Sequence, residues 1–370
     1  MSTLVPFNAL RPGADAAAVR AAIDRVIASG WFVLGPEVEA FEAEFAAASQ
    51  APYAVGVGTG TDAITLILRA LDIGPGDEVI TPPLSAAYSA LAVMMTGARP
   101  VFADIDPERL TLDPRAAEAA ITSRTKAIMP VHLYGQAADM TAFAAIAARH
   151  GLALVEDAAQ AHLATAGGRP VGTIGIAGAT SFYPTKNLGA LGDGGAVITR
   201  DAQLAARIKR LRNGGQTSRY HHLEAGANSR LDEMQAAILR ARLPLLPGWT
   251  ARRRAIAARY RAAAVPPSLT VPREFDEGHV YHLFPVLTPD RDAFQTHCTA
   301  QGVETLIHYP VPIPRQPALG PTSPAMCPVA DRICSEVVSL PMYPGLADDQ
   351  VAAVAQAFSS FTGRDGHAGV

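Results

Sequence analysis

Lysine is scarce in this chain, and one lysine lies where its amine could do chemistry. Of the 31 basic residues only three are lysines, at positions 126, 186 and 209. Arginine keeps its proton near neutral pH, whereas the amine of lysine can be tuned to lose it. Lys186 lies among turn-forming residues in the segment SFYPTKNLGALGDGGA. A lone loop lysine is usually a solvated surface charge, so Lys186 gains meaning only together with its neighbours.

A carboxylate follows a strand that should be buried. Asp157 comes at the end of the apolar run LALVED, and ligands of open α/β sheets bind at the carboxyl ends of the strands. A buried carboxylate needs a partner, and a protonated pyridine nitrogen would serve. The alternative is an aspartate that caps the next helix. Because side chains alternate along a strand, the neighbouring Glu156 should point to the opposite face.

The third pattern is a glycine-rich turn between a strand and a helix. The predicted strand YAVGV runs into the segment GTGT at 58–61, where a helix begins at once. Exposed amides at a helix N-terminus can bind phosphate, and the helix dipole helps. Such a turn is also routine architecture, and it matches neither the P-loop nor the G-x-G-x-x-G pattern.

These patterns together predict a cofactor. Ser181 precedes Lys186 by five residues, and both follow a predicted strand of the same α/β region as Asp157. A Schiff-base lysine, a partner for the pyridine nitrogen and a cup for the phosphate are what pyridoxal 5′-phosphate (PLP) requires. The combination therefore indicates a PLP enzyme.

The elements that must position these residues form an alternating pattern. Residues from about 14 to 50 have the apolar periodicity of helices. From about 52 to 200, short apolar runs alternate with Ala-rich helical stretches, which predicts a mostly parallel sheet covered on both faces. From about 250 the sequence predicts a smaller α+β region, with a strand in HVYHLFPVL. We expect a large domain over 1–245 and a smaller one over 246–370.

Composition excludes several other classes of protein. The formal net charge is -3 and there is no basic run, which argues against nucleic acid as a partner. No apolar stretch reaches the ~18–20 residues of a membrane span, and the N-terminus does not resemble a signal peptide. Three cysteines without a close pair favour free thiols over disulfides or a metal site. We therefore expect a cytoplasmic enzyme without a bound metal.

Nine segments resemble the DegT/DnrJ/EryC1/StrS sugar aminotransferases, which have the aspartate aminotransferase-like PLP fold type I. The resemblance covers nearly the whole chain. The segments are SGWFVLGPEVEAFEAEFA, GTGTDA, GDEVITPP, GARPVFADIDP, PVHLYGQAADM, EDAAQAH, SFYPTKNLGALGDGGAV, NSRLDEMQAAIL and IHYPVP.

The resemblance implies roles at single positions. Lys186 would form the Schiff base and shuttle the proton, and Asp157 would pair with the pyridine nitrogen. Gln160 would hydrogen-bond the phenolic oxygen of the cofactor. The phosphate would be held by Gly60, Thr61, Ser181 and, from the other subunit, Asn228. Active sites in this family lie between two subunits, so a homodimer is implied.

The resemblance also implies a substrate class. The sequences around Lys186 and in NSRLDE look most like the branch that aminates C3 of a dTDP-linked 3-keto-6-deoxyhexose, with L-glutamate as amino donor and ping-pong kinetics. Alternatives are a 4-keto or UDP-linked sugar, or a non-catalytic regulatory protein. A sugar 3-dehydratase is disfavoured because that branch replaces the lysine by histidine. Candidate substrate contacts are His162, Tyr183, Tyr220, His308 and Tyr309.

Three departures from the family pattern involve four positions. Many members have an aromatic residue at the place of Ala86 to stack on the cofactor ring, and here Tyr88 is the nearby candidate for a cofactor contact. Leu163 replaces a common glycine. Pro314 and Arg315 replace a common His-Leu pair where the family contacts substrate, which leaves the sugar and the nucleotide open.

Overall fold

A seven-stranded sheet forms the centre of the larger part of the molecule. The computed structural model describes residues 4–319 and 326–363. In chain order the strands are β1 (Tyr53–Val57), β2 (Glu78–Thr81), β3 (Arg99–Phe102), β4 (Thr125–Ile128), β5 (Ala153–Asp157), β6 (Thr165–Ala166), β7 (Arg169–Pro170), β8 (Ala177–Ser181), β9 (Gly195–Thr199), β10 (Gln216–Ser218), β11 (His221–His222), β12 (Phe284–Leu287) and β13 (Val337–Leu340).

Twelve α-helices accompany these strands within the described part of the chain. They are α1 (Ala16–Ser29), α2 (Pro36–Ala48), α3 (Gly60–Ala70), α4 (Tyr88–Met94), α5 (Pro114–Ala119), α6 (Met140–His150), α7 (Ala202–Leu211), α8 (Glu233–Arg242), α9 (Leu246–Ala262), α10 (Arg291–Ala300), α11 (Pro328–Glu336) and α12 (Asp348–Ser359).

The sheet has the order β1-β9-β8-β5-β4-β2-β3. Strand β9 pairs antiparallel with both of its neighbours, and the other pairs are parallel. The predicted mostly parallel α/β sheet is therefore confirmed. Parallel strands need crossover connections, and these place helices on the faces of the sheet.

Both faces of the sheet are buried, and neighbouring residues of one strand face different cores. Val79 and Val155 join the core beneath α3, α4 and α7. Ile80 and Leu154, each next to one of them in sequence, join the core beneath α5 and α6. This alternation explains why the strands are mainly apolar on both faces.

The smaller part of the molecule is built on the antiparallel pair β12–β13. Residues of α9, α10 and α12 share a separate core with these strands, and Val5 of the N-terminal segment packs into it. We propose that the chain divides at 245/246, where a 3-10 turn over Leu243–Leu245 separates α8 from α9. The N-terminal segment then crosses onto the smaller domain, where Val5 forms a β-bridge with Val303.

The helical run after Leu231 is interrupted by the 3-10 turn at Leu243–Leu245, which contains Pro244. The predicted strand HVYHLFPVL is shorter than expected, because only Phe284–Leu287 is extended. Tyr281 has a φ of 45°, a left-handed conformation that a strand cannot contain. Within 4–319 and 326–363, no helix has both the length and the apolar character that crossing a bilayer would require.

Candidate active site

The residues selected for their chemistry meet at the carboxyl edge of the sheet. Asp157 is the last residue of β5 and Ser181 is the last of β8, and these two strands are neighbours. They open into a cavity of about 670 Å³. The predicted site residues that line it are Gly60, Thr61, Tyr88, Asp157, Gln160, Ser181, Tyr183, Lys186, His308 and Tyr309.

One end of the cavity is suited to an anion. Helix α3 begins at Gly60, and the side chain of Thr59 caps it by accepting a hydrogen bond from the amide of Asp62 at 3.0 Å. A Cβ atom on Gly60 would lie 2.7 Å from the Cβ of Ser181, so the close approach of the two segments requires glycine. The free amides of the first turn and the hydroxyl of Ser181 are groups that could bind a phosphate.

The cavity also contains a carboxylate whose two oxygens both accept hydrogen bonds from the protein. Asp157 is 4% exposed. One of its oxygens, Oδ1, accepts a hydrogen bond from the amide of Ala159 at 3.1 Å. The other, Oδ2, accepts one from the hydroxyl of Ser89 at 2.7 Å. No cationic side chain pairs with this carboxylate among the described ion pairs, so its charge is available to a ligand.

Lys186 lines the same cavity and lies in a tight turn. Its amide donates to the carbonyl of Tyr183 at 2.8 Å. Burial lowers the pKa of the Lys186 amine to about 8, and the negative charge of Asp157 partly opposes this shift. The amine therefore has a substantial neutral fraction near neutral pH, which a nucleophile or a proton acceptor needs.

The turn is fixed by the residue that follows the lysine. Asn187 is buried and donates from its amide nitrogen to the carbonyl of Val280 at 2.9 Å. Its amide oxygen lies 3.1 Å from Nδ1 of His282, so Nδ1 carries the proton. Burial, and then the charge of Lys186, hold the pKa of His282 well below its usual range. A neutral imidazole thus lines the cavity beside the lysine.

Gln160 connects the two domains. Its amide oxygen accepts from the backbone amide of Tyr134 at 2.8 Å, and its amide nitrogen donates to the Tyr309 hydroxyl at 3.0 Å. The second N–H of Gln160 remains for a ligand in the cavity. Burial raises the pKa of Tyr309 to about 12, so this hydroxyl stays protonated.

The N-terminal segment forms part of the cavity wall, which the sequence did not predict. Phe7 and Asn8 both line the cavity. The Phe7 ring stacks on His308, with ring centroids 5.5 Å apart, and His308 Nδ1 lies 3.0 Å from the Ser339 hydroxyl. Burial, followed by the charge of Lys186, lowers the pKa of His308 to about 4.

Three predicted site residues lie outside the lining of this cavity. Asn228 and Tyr220 are exposed, and Tyr220 is 80% accessible. His162 is buried behind the wall, where its ring packs 5.7 Å from Phe182. Burial lowers the pKa of His162 to about 3, and the charge of Lys186 adds to the effect. One chain therefore assembles ten of the thirteen predicted site residues around one cavity.

The donor set fits PLP in this structure. The amides before α3 and Ser181 suit a phosphate, the unpaired Asp157 suits a protonated ring nitrogen, and Lys186 suits an aldehyde. The glycine at position 60 leaves room that a side chain would fill. The fold and the cavity together define a PLP-dependent enzyme of the aspartate aminotransferase-like type.

Comparison with known proteins identifies the family. Residues 14–359 match the DegT/DnrJ/EryC1/StrS aminotransferase family, and the chain belongs to it. The chain is 48% identical to the dTDP-3-amino-3,4,6-trideoxy-alpha-D-glucose transaminase of Streptomyces venezuelae, over 97% of each chain. It is 46% identical to the UDP-N-acetyl-3-dehydro-alpha-D-glucosamine 3-aminotransferase of Acidithiobacillus ferrooxidans, over 90% of each.

Solved structures agree with this assignment. The crystal structure of S. venezuelae DesV in complex with a ketimine intermediate is 48% identical, covers 97% of this chain and 98% of that chain, and superposes with a TM-score of 0.94. The structure of NtdA from Bacillus subtilis with bound cofactor PMP is 30% identical, covers 97% and 85%, and has a TM-score of 0.88. The predicted family, fold and cofactor are confirmed.

Several residues of the site carried no signal in the sequence. Ser89, Asn8 and His282 have no distinctive spacing from Lys186 or Asp157, and each reaches the cavity from a different element. Ser89 lies three residues after Ala86, where the sequence departs from the family pattern. Tyr88 lines the cavity but is 64% exposed, and Ala86 lines it beside Tyr88.

Proposed function

We propose that the protein is a PLP-dependent aminotransferase that moves an amino group from L-glutamate to a nucleotide-linked keto sugar, at C3 of a dTDP-3-keto-6-deoxyhexose. The single observation that carries this proposal is Lys186, an amine with a pKa lowered to about 8, which shares one cavity with the Asp157 carboxylate and the glycine turn before α3. The 48% identity to a dTDP-3-amino sugar transaminase supports the choice of sugar.

The side chains can perform the proton transfers of such a reaction. When bound, PLP supplies an electron sink for the electrons left at the Cα of the amino donor. The neutral amine of Lys186 then takes a proton from that Cα and later returns one to the acceptor sugar at C3. Asp157 keeps the ring nitrogen protonated by its negative charge. Gln160 donates its free N–H to the phenolic oxygen, and the amides at Gly60 and Thr61 hold the phosphate with Ser181.

The sugar would lie where the larger and the smaller part of the molecule both line the cavity. We propose that Tyr183, His308 and Tyr309 contact it, since all three line the cavity. The three side chains are uncharged, which suits a ring of hydroxyl groups better than an ion. A direct contact by His162 is not part of this proposal because its ring is buried behind the wall.

A second copy of the chain would complete the site. Asn228 and Tyr220 belong to an exposed segment that also presents Leu223, which is 62% exposed. Apolar side chains exposed together are typical of a protein–protein interface. We propose a homodimer in which Asn228 reaches the phosphate and Tyr220 the substrate of the partner's site, and we propose the cytoplasm as its location.

Related chemistry on other sugars is the main alternative. A relative of 46% identity is named for a UDP-linked sugar, so the nucleotide is a matter for direct test. Position 315 is a candidate for a residue that influences the choice of nucleotide sugar, because Arg315 departs from the family pattern. The Arg315 guanidinium pairs with Asp331 at 2.9 Å. A purely regulatory protein would have no need of a lysine with a lowered pKa beside the Asp157 carboxylate in one cavity.

Labelling of the lysine tests the proposal. The purified protein is incubated with PLP, reduced with borohydride and digested, and the modified peptide is identified by mass spectrometry. We expect the label on Lys186 alone, and no label in Lys186→Ala. The exposed Lys126 provides the control, since Lys126→Ala should be labelled as the wild type is.

Turnover is measured in the same set of proteins. Glutamate should convert the bound cofactor to its amine form, and a dTDP-3-keto-6-deoxyhexose should reverse the change faster than a 4-keto or UDP-linked sugar. Absence of PLP uptake by the wild type would refute the proposal, and a preference for another sugar would refute its C3 or dTDP part.

A further inference from the structure

We propose that Ser89 is a positioning residue that orients and stabilises the carboxylate of Asp157 for the ring nitrogen of the cofactor. The inference rests on the proposed function, because it takes the partner of Asp157 to be a pyridine nitrogen. It deepens that function by assigning a role to a residue outside the cofactor contacts.

The contact is short, buried and of defined direction. The Ser89 hydroxyl lies 2.7 Å from Oδ2 of Asp157, and Ser89 is 2% exposed. An ionised carboxylate has no hydrogen to give, so the serine must be the donor. Ser85 lies 3.4 Å behind it, hydroxyl to hydroxyl. Ser89 therefore contacts the carboxylate and Ser85 contacts Ser89, and both serines line the cavity.

The backbone and the side chain of Asp157 are held by different parts of the fold. The Asp157 amide donates to Pro130 at 3.0 Å and its carbonyl accepts from His132 at 3.0 Å. These bonds fix the strand but leave rotation about the side-chain bonds free. The amide of Ala159 holds Oδ1, and the bond from Ser89, on helix α4 and 68 positions away in sequence, holds Oδ2, so both restrict that rotation.

A neutral donor is the appropriate group at this position. A hydrogen bond donated to a carboxylate stabilises the charged form. An arginine or lysine would do the same but would also cancel the negative charge that the ring nitrogen needs. Ser89 therefore orients the carboxylate and leaves its charge for the cofactor, whereas a merely structural serine would only fill space between α3 and α4.

An orienting role of Ser89 is distinguished from a merely structural role by comparing the binding of two cofactors. Apoprotein is titrated with PLP and with 1-deazapyridoxal 5′-phosphate, whose ring has carbon in place of the nitrogen and cannot pair with Asp157. We expect Ser89→Ala to raise the Kd of PLP roughly tenfold, the order of one charge-assisted hydrogen bond. The Kd of the deaza analogue should stay unchanged.

Matched variants complete the design. Ser89→Thr keeps the hydroxyl and should restore the affinity for PLP. Thr199→Val deletes another buried hydroxyl, which donates to the carbonyl of Ile176 at 2.7 Å, and should change neither Kd. If Ser89→Ala does not fold, Ser89→Cys offers a side chain of similar size and a weaker donor, and it should give an intermediate loss for PLP alone.

The outcomes distinguish the inference from the function on which it rests. An equal loss of affinity for both cofactors, or no loss for either, would overturn the role of Ser89 while the wild type still binds PLP. A wild type that binds no PLP, or binds the deaza analogue as tightly as PLP, would overturn the pairing of Asp157 and with it the proposed function of the site.

Discussion

Glu156 and Asp157 are consecutive carboxylates on β5, and the two faces of that strand use them differently. Glu156 is fully buried, and its oxygens accept from the amides of Gly172, Ile174 and Gly175 at 2.7–2.8 Å. His132 lies 3.0 Å from the same carboxylate. Asp157 faces the cavity with two hydrogen bonds and, among the ion pairs of the described residues, no cation in direct contact.

The difference lies in how completely each charge is satisfied. His132 accepts from the amide of Ala138 at Nδ1, so its proton is on Nε2 and points at Glu156. Four donors therefore surround Glu156, and none of its capacity is left for a ligand. Asp157 retains unused acceptor capacity towards an open cavity. A buried carboxylate with a complete set of protein donors is structural, whereas one with an incomplete set is available for chemistry.

The largest effect on activity is expected from neutralising Asp157, the carboxylate of β5 that faces the cavity. Asp157→Asn keeps the shape of the side chain but removes the charge that maintains a protonated ring nitrogen. We expect kcat for transamination to fall about a thousandfold. The free energy of unfolding of the apoprotein, measured in urea, should change little because the residue borders a cavity.

The same carboxylate-to-amide exchange at Glu156, on the opposite face of β5, should lower the stability of the protein instead of its activity. Glu156→Gln places an NH2 group against backbone N–H donors, and we expect it to lower the free energy of unfolding by about 3 kcal/mol. Glu118→Gln, at a surface pair with Arg149, should cost less than about 1 kcal/mol. A Glu156→Gln protein with wild-type stability and a kcat as low as that of Asp157→Asn would contradict the comparison.

The smallest effect concerns the pH dependence of Lys186. Its pKa of about 8 reflects burial, which disfavours the charged amine, opposed by the charge of Asp157. Below this pKa the amine is protonated and unreactive, so the rate of PLP attachment to apoprotein should rise with pH and level off above about 8. In Asp157→Asn the opposing charge is gone, and the midpoint should move to lower pH.

Glu156→Gln should leave that midpoint in place, because Glu156 is not among the charges that act on Lys186. The measurement is the attachment rate between pH 6 and 10 in the three proteins. A rate that is still rising at pH 10, as expected for a lysine with the model-compound pKa of about 10.4, would show that burial does not lower the pKa of Lys186.

Much of the site could be read from the order of residues because its parts lie at strand ends. A residue that closes an apolar run of a parallel sheet must reach the carboxyl edge, and this placed Asp157 and Ser181 on one rim. Alternation also placed Glu156 on the opposite face correctly. Residues that reach the rim from elsewhere, such as Ser89 and Asn8, had no such constraint.

Tertiary contacts decided which further residues line the site, and local sequence patterns do not predict such contacts. The N-terminal segment was expected to belong to the large domain, yet Val5 packs in the smaller core and brings Phe7 against His308. His162 follows Asp157 by five residues but turns into the packing beside Phe182. Both outcomes depend on burial between elements that are distant in sequence.

The sequence by itself predicted the α/β architecture and the cofactor and selected Lys186 and Asp157 as candidates for its lysine and acidic partner, because apolar periodicity and strand-end chemistry are local properties. Only the tertiary structure decided that Glu156 is saturated while Asp157 is available, and that Ser89 supports it. These properties depend on donors brought together by packing, and the number of donors around a buried charge decides whether that charge stabilises the fold or serves a ligand.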